Sequence, residues 1–434
     1  MTILYATYLV LTAGLFIFVA PYFWIYTRIT GRYRSNIEER LGFVPEKAIK
    51  RLSGSPRIWI HAVSLGEVKV AAAIIEALSS MMPDCSLMLS TSTEHGRELA
   101  VKTLGGKIPV VYAPVDFIGS VCRALFAVRP DIMVFLETEI WPAWLYEARR
   151  RGIKTALING RISVRSIKGY LKLRRFFQEV LSNFDVLSMI TEGDADRIKA
   201  MGADPHRIEI HGNAKYDRLI GLTDRGTEGE IREILNIKAS QPVLVAGSTR
   251  DGEETMVLSA YEEILKAFPG TILIIAPRHI KRTTEIGSLV ERRGLTYQLR
   301  TDFDGVDTKR TARVVIINTF GELFGIYSVG TILFCGASLV PLGGQNVLEP
   351  AVWGKMVFYG PSMENFLDAR ALLEKAKAGV RVSGPAELAE RAIWFLRHPE
   401  ELKNAGGRAR EAVLSNQGAA KKHAEVIKKL MARV

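Results

Sequence analysis

An acidic side chain placed where a strand gives way to a helix can take a proton, and this chain offers two such places in its first half. The run Trp59-Ile60-His61-Ala62-Val63-Ser64-Leu65-Gly66-Glu67 reads as a buried strand, a short loop carrying Ser64 and Gly66, and then a helix. Glu67 is thereby set at the carboxyl edge of a parallel sheet, where open α/β folds hold their ligands. A carboxylate there can draw the proton from a hydroxyl brought within hydrogen-bond reach. The alternative is that Glu67 caps its helix and meets the positive end of the dipole. Leu136-Glu137-Thr138-Glu139-Ile140-Trp141-Pro142 repeats the theme, with two acids after an apolar strand and a proline suited to the first helical position. Neighbouring acids can split their pKa values and share catalytic labour. They can equally orient a basic side chain such as Arg161, and support of that kind is the expected role.

The second half carries groups suited to a phosphorylated ligand. Pro277-Arg278-His279 follows the apolar run Ile272–Ala276, and an arginine at a strand end can bind phosphate in bidentate fashion. Downstream lie Asn318-Thr319-Phe320-Gly321-Glu322-Leu323 and Gly343-Gly344-Gln345-Asn346-Val347-Leu348-Glu349-Pro350. The glycine pair runs into a helix start, where free backbone N–H groups could meet a phosphate. Glu349, one turn on, could accept from ribose hydroxyls. Their order in one domain, after an arginine, fits a nucleotide-activated donor.

Short apolar runs alternating with helical periodicity must position these groups, a pattern of parallel sheets with crossover helices. Strands are expected near Ile58–His61, Leu87–Ser90, Val110–Tyr112, Ile132–Leu136, Ala156–Asn159, Val186–Ile190 and Arg207–His211. A polar stretch from Asp224 to Gly229 follows. A second series is expected near Val243–Ala246, Ile272–Ala276, Val314–Ile317, Ile332–Cys335 and Met356–Tyr359. The fold class is α/β, with two Rossmann-like domains facing a cleft: 31–217 and 218–412. A closing helical segment, 413–434, can cross back onto the first domain. Neither half has GxGxxG or a Walker A motif, which argues against a dinucleotide oxidoreductase.

Residues Ile3 to Tyr26 carry no charge. As a helix they would reach about 36 Å, enough for a hydrocarbon core of about 30 Å. Residues 1–30 are therefore read as a membrane-anchor helix, with Tyr22, Trp24 and Tyr26 as an interfacial belt and Arg28, Arg32 and Arg34 beyond it. The positive-inside rule then puts the main body in the cytoplasm. A signal peptide fits less well, for want of a basic start and a cleavage pattern; a helix lying in one leaflet is the other reading. The net charge of +12 points to an anionic partner. Ten basic residues and no acidic one lie between Arg149 and Arg175: Arg149, Arg150, Arg151, Lys154, Arg161, Arg165, Lys168, Lys172, Arg174 and Arg175. Tyr170, Leu171, Leu173, Phe176 and Phe177 interleave with them. An anionic membrane surface is the expected counter-anion, at about 1 kcal/mol per basic residue; a solvated helix face is the alternative, and nucleic acid is not expected. Cys85, Cys122 and Cys335 form no CxxC pair and the histidines no metal spacing, so neither disulfides nor a metal are expected.

At these residues the chain resembles the 3-deoxy-D-manno-octulosonic acid (Kdo) transferase family of lipopolysaccharide synthesis. The resemblance includes Glu39-Arg40-Leu41-Gly42, Trp59–Glu67, Ser92–Gly96, Pro114-Val115-Asp116, Glu137–Pro142 and Asn159–Ser163. It continues through Gly212-Asn213-Ala214-Lys215-Tyr216-Asp217, Ser248-Thr249, Pro277-Arg278, Phe320–Leu323, Gly343–Pro350 and Gly360-Pro361. It implies a GT-B fold, an acceptor bound mainly by the first domain, CMP-Kdo bound by the second, and inverting transfer of Kdo to a lipid A precursor, lipid IVA. It implies Glu67 as general base. Pro277 and Arg278, Phe320, Gly321 and Glu322, and Asn346, Val347, Leu348 and Glu349 fall at CMP contacts, and Lys215, Ser248 and Thr249 join the supporting residues. It implies no cofactor, since CMP-Kdo is a substrate, and a place on the cytoplasmic side of a bacterial inner membrane. The sequence departs from the family pattern at Gln345 and Arg250 (histidine), Asn318 (aspartate), Phe320 (methionine) and Gly160 (alanine). The rival readings are a GT-B enzyme using a UDP-sugar, a sugar-nucleotide epimerase, and a non-catalytic membrane-tethered lipid- or RNA-binding protein.

Overall fold

The computed structural model describes residues 3–30, 37–164, 166–217, 219, 223–305 and 309–432. Arg32, Arg34 and Arg165, and the side chains of Trp24 and Tyr26, lie outside the described residues. The chain forms two compact units, one made of Met1–Asp217 with Gln417–Val434, the other of Arg218–Asn416.

The first unit is built on a parallel sheet of seven strands. These are β1 (Arg57–His61), β2 (Ser86–Thr91), β3 (Val110–Tyr112), β4 (Ile132–Leu136), β5 (Lys154–Gly160), β6 (Val186–Met189) and β7 (Ile208–Ile210). Their order is β3-β2-β1-β4-β5-β6-β7, all parallel. Strand side chains alternate between faces, so Ile58 and Ile60 of β1 enter one buried cluster and Trp59 the other. The first cluster is closed by helix Leu65–Met81 and by the C-terminal helix Ala419–Met431, whose Ala420, Ala424 and Ile427 are buried in it.

The second unit repeats the plan with β8 (Val243–Thr249), β9 (Ile272–Pro277), β10 (Tyr297–Leu299), β11 (Val314–Ile316), β12 (Ile332–Cys335), β13 (Val357–Tyr359) and β14 (Gly379–Arg381). Their order is β10-β11-β9-β8-β12-β13-β14, again all parallel. Two parallel-sheet α/β units are consistent with the GT-B class. In each sheet the strand order reverses beside the first strand of the unit, between β1 and β4 and between β8 and β12. Crevices at the carboxyl ends of such switch points are where doubly wound folds bind ligands. Two expectations change in detail. The polar stretch from Asp224 opens helix Arg225–Ile234, because Ile231 and Leu235 are drawn against an apolar cluster. The three-residue strands β10 and β14 went unread because each is a short sheet edge of mixed composition.

The apolar N-terminal segment is helical from Ile3 to Thr30, with Pro21 inside it. Among the described residues no helix is long and apolar enough to cross a membrane, so the expected spanning anchor is not what the structure presents. The near side of this helix is spent on protein. Tyr5 is buried, with its hydroxyl donating to the Pro142 carbonyl. Tyr8 donates to Asp116 at 2.6 Å, and Phe16 stacks on Phe117 at 4.4 Å. The far side exposes Val10, Leu15, Phe18 and Tyr22.

Candidate active site

Glu67 lies in the first turn of helix Leu65–Met81, just past β1, and is 7 % exposed. Ser64 caps this helix and accepts the Glu67 N–H. The Glu67 carboxylate in return takes the Val63 N–H and the Ser64 hydroxyl, each at 2.8 Å. This is a variant of the capping box, so the helix-capping reading of Glu67 is realised. It does not exhaust the group, since each carboxylate oxygen keeps a second lone pair. Burial raises the Glu67 pKa, as does Glu137, against the lowering hydrogen bonds from Val63 and Ser64 and the charge of Lys215. A carboxylate that is ionised yet poorly solvated is a stronger base than one in water. Gly66, in the first turn of the same helix, lies beside Lys215, whose Cε is 4.0 Å from where a Cβ would stand, an ordinary contact.

Across the switch point, β4 is followed directly by Glu137, whose backbone lies in the left-handed region at φ 53°. Its side chain pairs with Lys215 Nζ at 2.5 Å, while its carbonyl accepts the Arg161 N–H. Thr138 donates to the Arg161 carbonyl, so the two strand ends are laced together. Lys215 is delivered by the loop after β7, where the Ala214 N–H donates to Asn159, another left-handed residue at φ 53°. Strained backbone of this kind concentrates where a site is being shaped.

Glu139 takes the Trp141 indole N–H at 2.6 Å and lies 4.0 Å from His61 Nε2. Burial first, then the negative charge of Glu67, pushes its pKa up to about 7. His61 is buried on the Trp144 ring at 5.7 Å and held neutral, its pKa lowered by burial to about 4. Asp116 backs this arrangement by accepting the N–H groups of Ala143 and Trp144 at the start of helix Pro142–Arg150, together with the Tyr8 hydroxyl. The result is a cluster of three acids and one lysine, with Glu67 buried, Glu137, Glu139 and Lys215 partly buried, and the pKa values of Glu67 and Glu139 raised.

In the second unit Arg278 is exposed just past β9, and its N–H donates to the Thr249 carbonyl at the end of β8. Ser248, at φ 56°, sits inside β8 where its pairing with β9 shifts register, and Arg250 is hydrogen-bonded to His279. Phe320 is 88 % exposed beside Gly321, at φ 88°. Glu322 is held by Arg300 at 2.9 Å and Thr319 at 2.7 Å. Asn346 donates to Glu349 at 3.3 Å and accepts the Leu348 N–H; Val347 and Leu348 are buried.

The glycine pair corrects an expectation. Its N–H groups are not free for a phosphate, because Gly343 donates to Ser362 and Gly344 to the Ala337 carbonyl. Both residues have positive φ, and a Cβ at either would collide with Asn365 or Met363. They make a close turn, and the helix they lead to, Leu348–Val352, has five residues.

The basic stretch is also less one-sided than its composition. Arg150 and Arg151 both clamp Glu147, at 2.7 and 2.6 Å. Against the raising effect of burial, hydrogen bonds from Arg150, Cys122 and Arg151 hold that carboxyl at about 2. Lys154 faces Asp185, and Arg149 donates to the Ser182 carbonyl. Lys168, Lys172 and Arg175 remain exposed beside Leu171 and Leu173. Phe176 packs on Tyr5 and Tyr8 of the N-terminal helix.

The model of the 3-deoxy-D-manno-octulosonic-acid transferase (kdotransferase) family matches residues 35–218. A bifunctional glycosyltransferase/methyltransferase of Fusobacterium nucleatum is 31 % identical over 82 % of this chain; the chain spans 56 % of that protein's length. A 3-deoxy-D-manno-octulosonic acid transferase of Haemophilus influenzae is 28 % identical over 93 % of both chains. Among solved structures, a UDP-GlcNAc 2-epimerase of Neisseria meningitidis superposes with a TM-score of 0.61 at 14 % identity, over 87 % of this chain and 100 % of that one. That likeness speaks to fold alone.

Proposed function

We propose, since the chain belongs to the Kdo transferase family of glycosyltransferases, that it moves Kdo from CMP-Kdo to a lipid A precursor, lipid IVA, with inversion. A hydroxyl of the acceptor sugar attacks the anomeric carbon of the donor. Its proton passes to the Glu67 carboxylate as the new C–O bond forms. The bond from that carbon to the phosphate oxygen breaks, and CMP leaves from the opposite face with the electron pair. Lys215 beside Glu137 offsets the negative charge that three clustered acids would otherwise build up, which keeps Glu67 ionised. Glu139, with its raised pKa, is suited to hold a proton near neutrality without competing for the base role.

On the donor side, Arg278 is exposed at the strand end where a phosphate would lie, and a guanidinium is well matched to that group. Phe320, Glu322, Asn346 and Glu349 surround CMP in this reading, which requires no cofactor. The exposed apolar side of the N-terminal helix, flanked by Lys168, Lys172 and Arg175, rests on the cytoplasmic leaflet of the inner membrane, with the apolar side chains in one leaflet and the cations on headgroup phosphates.

The observation that carries the proposal is a nearly buried carboxylate at the first unit's switch point, with its pKa raised and lone pairs uncommitted. Mass spectrometry of the lipid formed by purified enzyme from CMP-Kdo and lipid IVA tests it. The expected product is heavier by whole Kdo units, with CMP released in equal number. Transfer from a UDP-sugar instead, or no CMP release, would overturn the reading.

A further inference from the structure

The most heavily used carboxylate of the second unit belongs to a residue that no motif above includes. Glu253 opens helix Glu253–Ala267 and is fully buried. It accepts four backbone N–H groups: from Arg250 at 2.9 Å in its own turn, and from Ala337, Ser338 and Leu339 at 2.6, 2.8 and 2.9 Å across the sheet. The three remote donors leave the carboxyl end of β12, and Arg250 leaves that of β8. These are the two strands that flank the switch point.

Glu253 thus joins the loops on either side of the crevice, and each leads to a donor residue. Ala337, held at φ 56°, passes its carbonyl to the Gly344 N–H at 2.7 Å, and Gly344 begins the turn that presents Asn346 and Glu349. On the other side, the Thr249 carbonyl takes the Arg278 N–H, and Arg250 bonds His279. The contact leaves no slack: a Cβ on Gly336 would lie 2.6 Å from the Ser248 carbonyl oxygen. The neighbouring acid is used in the same way. Glu254, also fully buried, binds Arg282 at 2.7 Å and so ties down the far end of the segment that begins at Arg278.

We propose that Glu253 is a positioning residue for the nucleotide donor: its carboxylate sets the spacing between the Arg278 loop and the Asn346 loop and touches no substrate. The inference rests on the reading that this unit binds CMP. A neutral amide of the same shape would turn two N–H donors toward backbone N–H groups, so at least one contact would become repulsive and the two loops would separate.

The test uses the full-length protein, with CMP binding followed by calorimetry and CMP-Kdo turnover by steady-state kinetics, for wild type, Glu253→Gln and Glu253→Asp. Loss of one charge-assisted hydrogen bond corresponds to roughly tenfold or more. Glu253→Gln is therefore expected to bind CMP at least about tenfold more weakly and to raise the donor KM by a similar factor. Its kcat at saturation and the acid limb of its pH profile should stay as in wild type, which a general loosening of the fold would not leave alone. Glu253→Asp, which keeps the charge but shortens the reach, should fall between the two. CMP affinity within about twofold of wild type in a folded variant would overturn the inference. So would failure of both variants to fold, since the carboxylate would then serve folding as a whole. If wild type itself fails to bind CMP, the donor reading falls first and takes this inference with it.

Discussion

Each unit is a seven-stranded parallel sheet with a switch point beside its first strand, but the two differ in the order of their outer strands and in what they place at the switch point. In the first, the switch point holds acids that are nearly buried, with pKa values displaced by burial and by one another. In the second, the groups assigned to the donor, Arg278 and Phe320, are exposed, and the buried carboxylate of Glu253 at the switch point is spent on backbone. Moving a proton demands a group whose affinity for it has been tuned, and removing water is the cheapest way to tune it. Binding a charged nucleotide demands groups that can reach it, held at a fixed spacing. Substitutions in the first unit should therefore act on turnover and its pH dependence, and those in the second on donor affinity.

The sharpest break comes at Glu67. Glu67→Gln keeps most of the capping geometry but removes the base, and turnover should fall at least about 100-fold with CMP affinity unchanged, measured by steady-state kinetics beside calorimetry. Full activity would return Glu67 to a purely structural cap. Arg278→Ala should do the reverse, weakening donor binding about tenfold or more while saturated turnover changes far less. If kcat falls and KM holds, the division between the units is wrong.

Acid sensitivity separates the units in a second way. His423 in the C-terminal helix is buried and neutral, its pKa lowered by burial to about 4. His279 and His398 in the second unit are exposed. An unfolded chain protonates His423 near 6.5, so the stability it contributes is complete above that pH and is lost as pH falls toward 4. Wild type should lose about 2 kcal/mol more than His423→Asn between pH 7.5 and 5, compared by urea unfolding at both pH values. Equal losses would place the acid sensitivity elsewhere. The smallest effect is expected at Glu139: its carboxyl, with its pKa pushed up to about 7, already holds a proton on the acid side, so the neutral Glu139→Gln should leave the acid limb of kcat/KM where it is. A shift upward would mean that Glu139 helps Glu67 by donating to it.

The layout was open to inspection in the chain because each parallel strand writes a short apolar run between helices, and Ile58–His61 and Ile132–Leu136 stand almost where β1 and β4 were expected. Ser64 three residues before Glu67 even spelled the cap. What stayed hidden was partnership over distance. Lys215 meets Glu137, and Glu253 meets Ala337 through Leu339, yet an acid pair opening a helix after glycine looks like ordinary dipole chemistry. The glycine pair misled for the same reason, since Ser362 and Ala337, which occupy its N–H groups, are not its neighbours in the chain. A helix that looked long enough for a bilayer turned out to be partly claimed by Tyr5 and Tyr8, whose partners at Pro142 and Asp116 lie more than a hundred residues on.

One feature of the C-terminal helix bears on how such a chain could be assembled. The Asp217 carboxylate receives the N–H groups of Gly418 and Ala420 at 2.8 and 2.6 Å, so the point where the backbone departs the first unit and the point where it returns are stapled together by a single side chain. Everything between is, in effect, a cassette plugged in at one socket. A short linker across that staple should leave the first unit able to fold without its insert, and the same socket could accept a foreign nucleotide-binding module without retraining the acid site beside it.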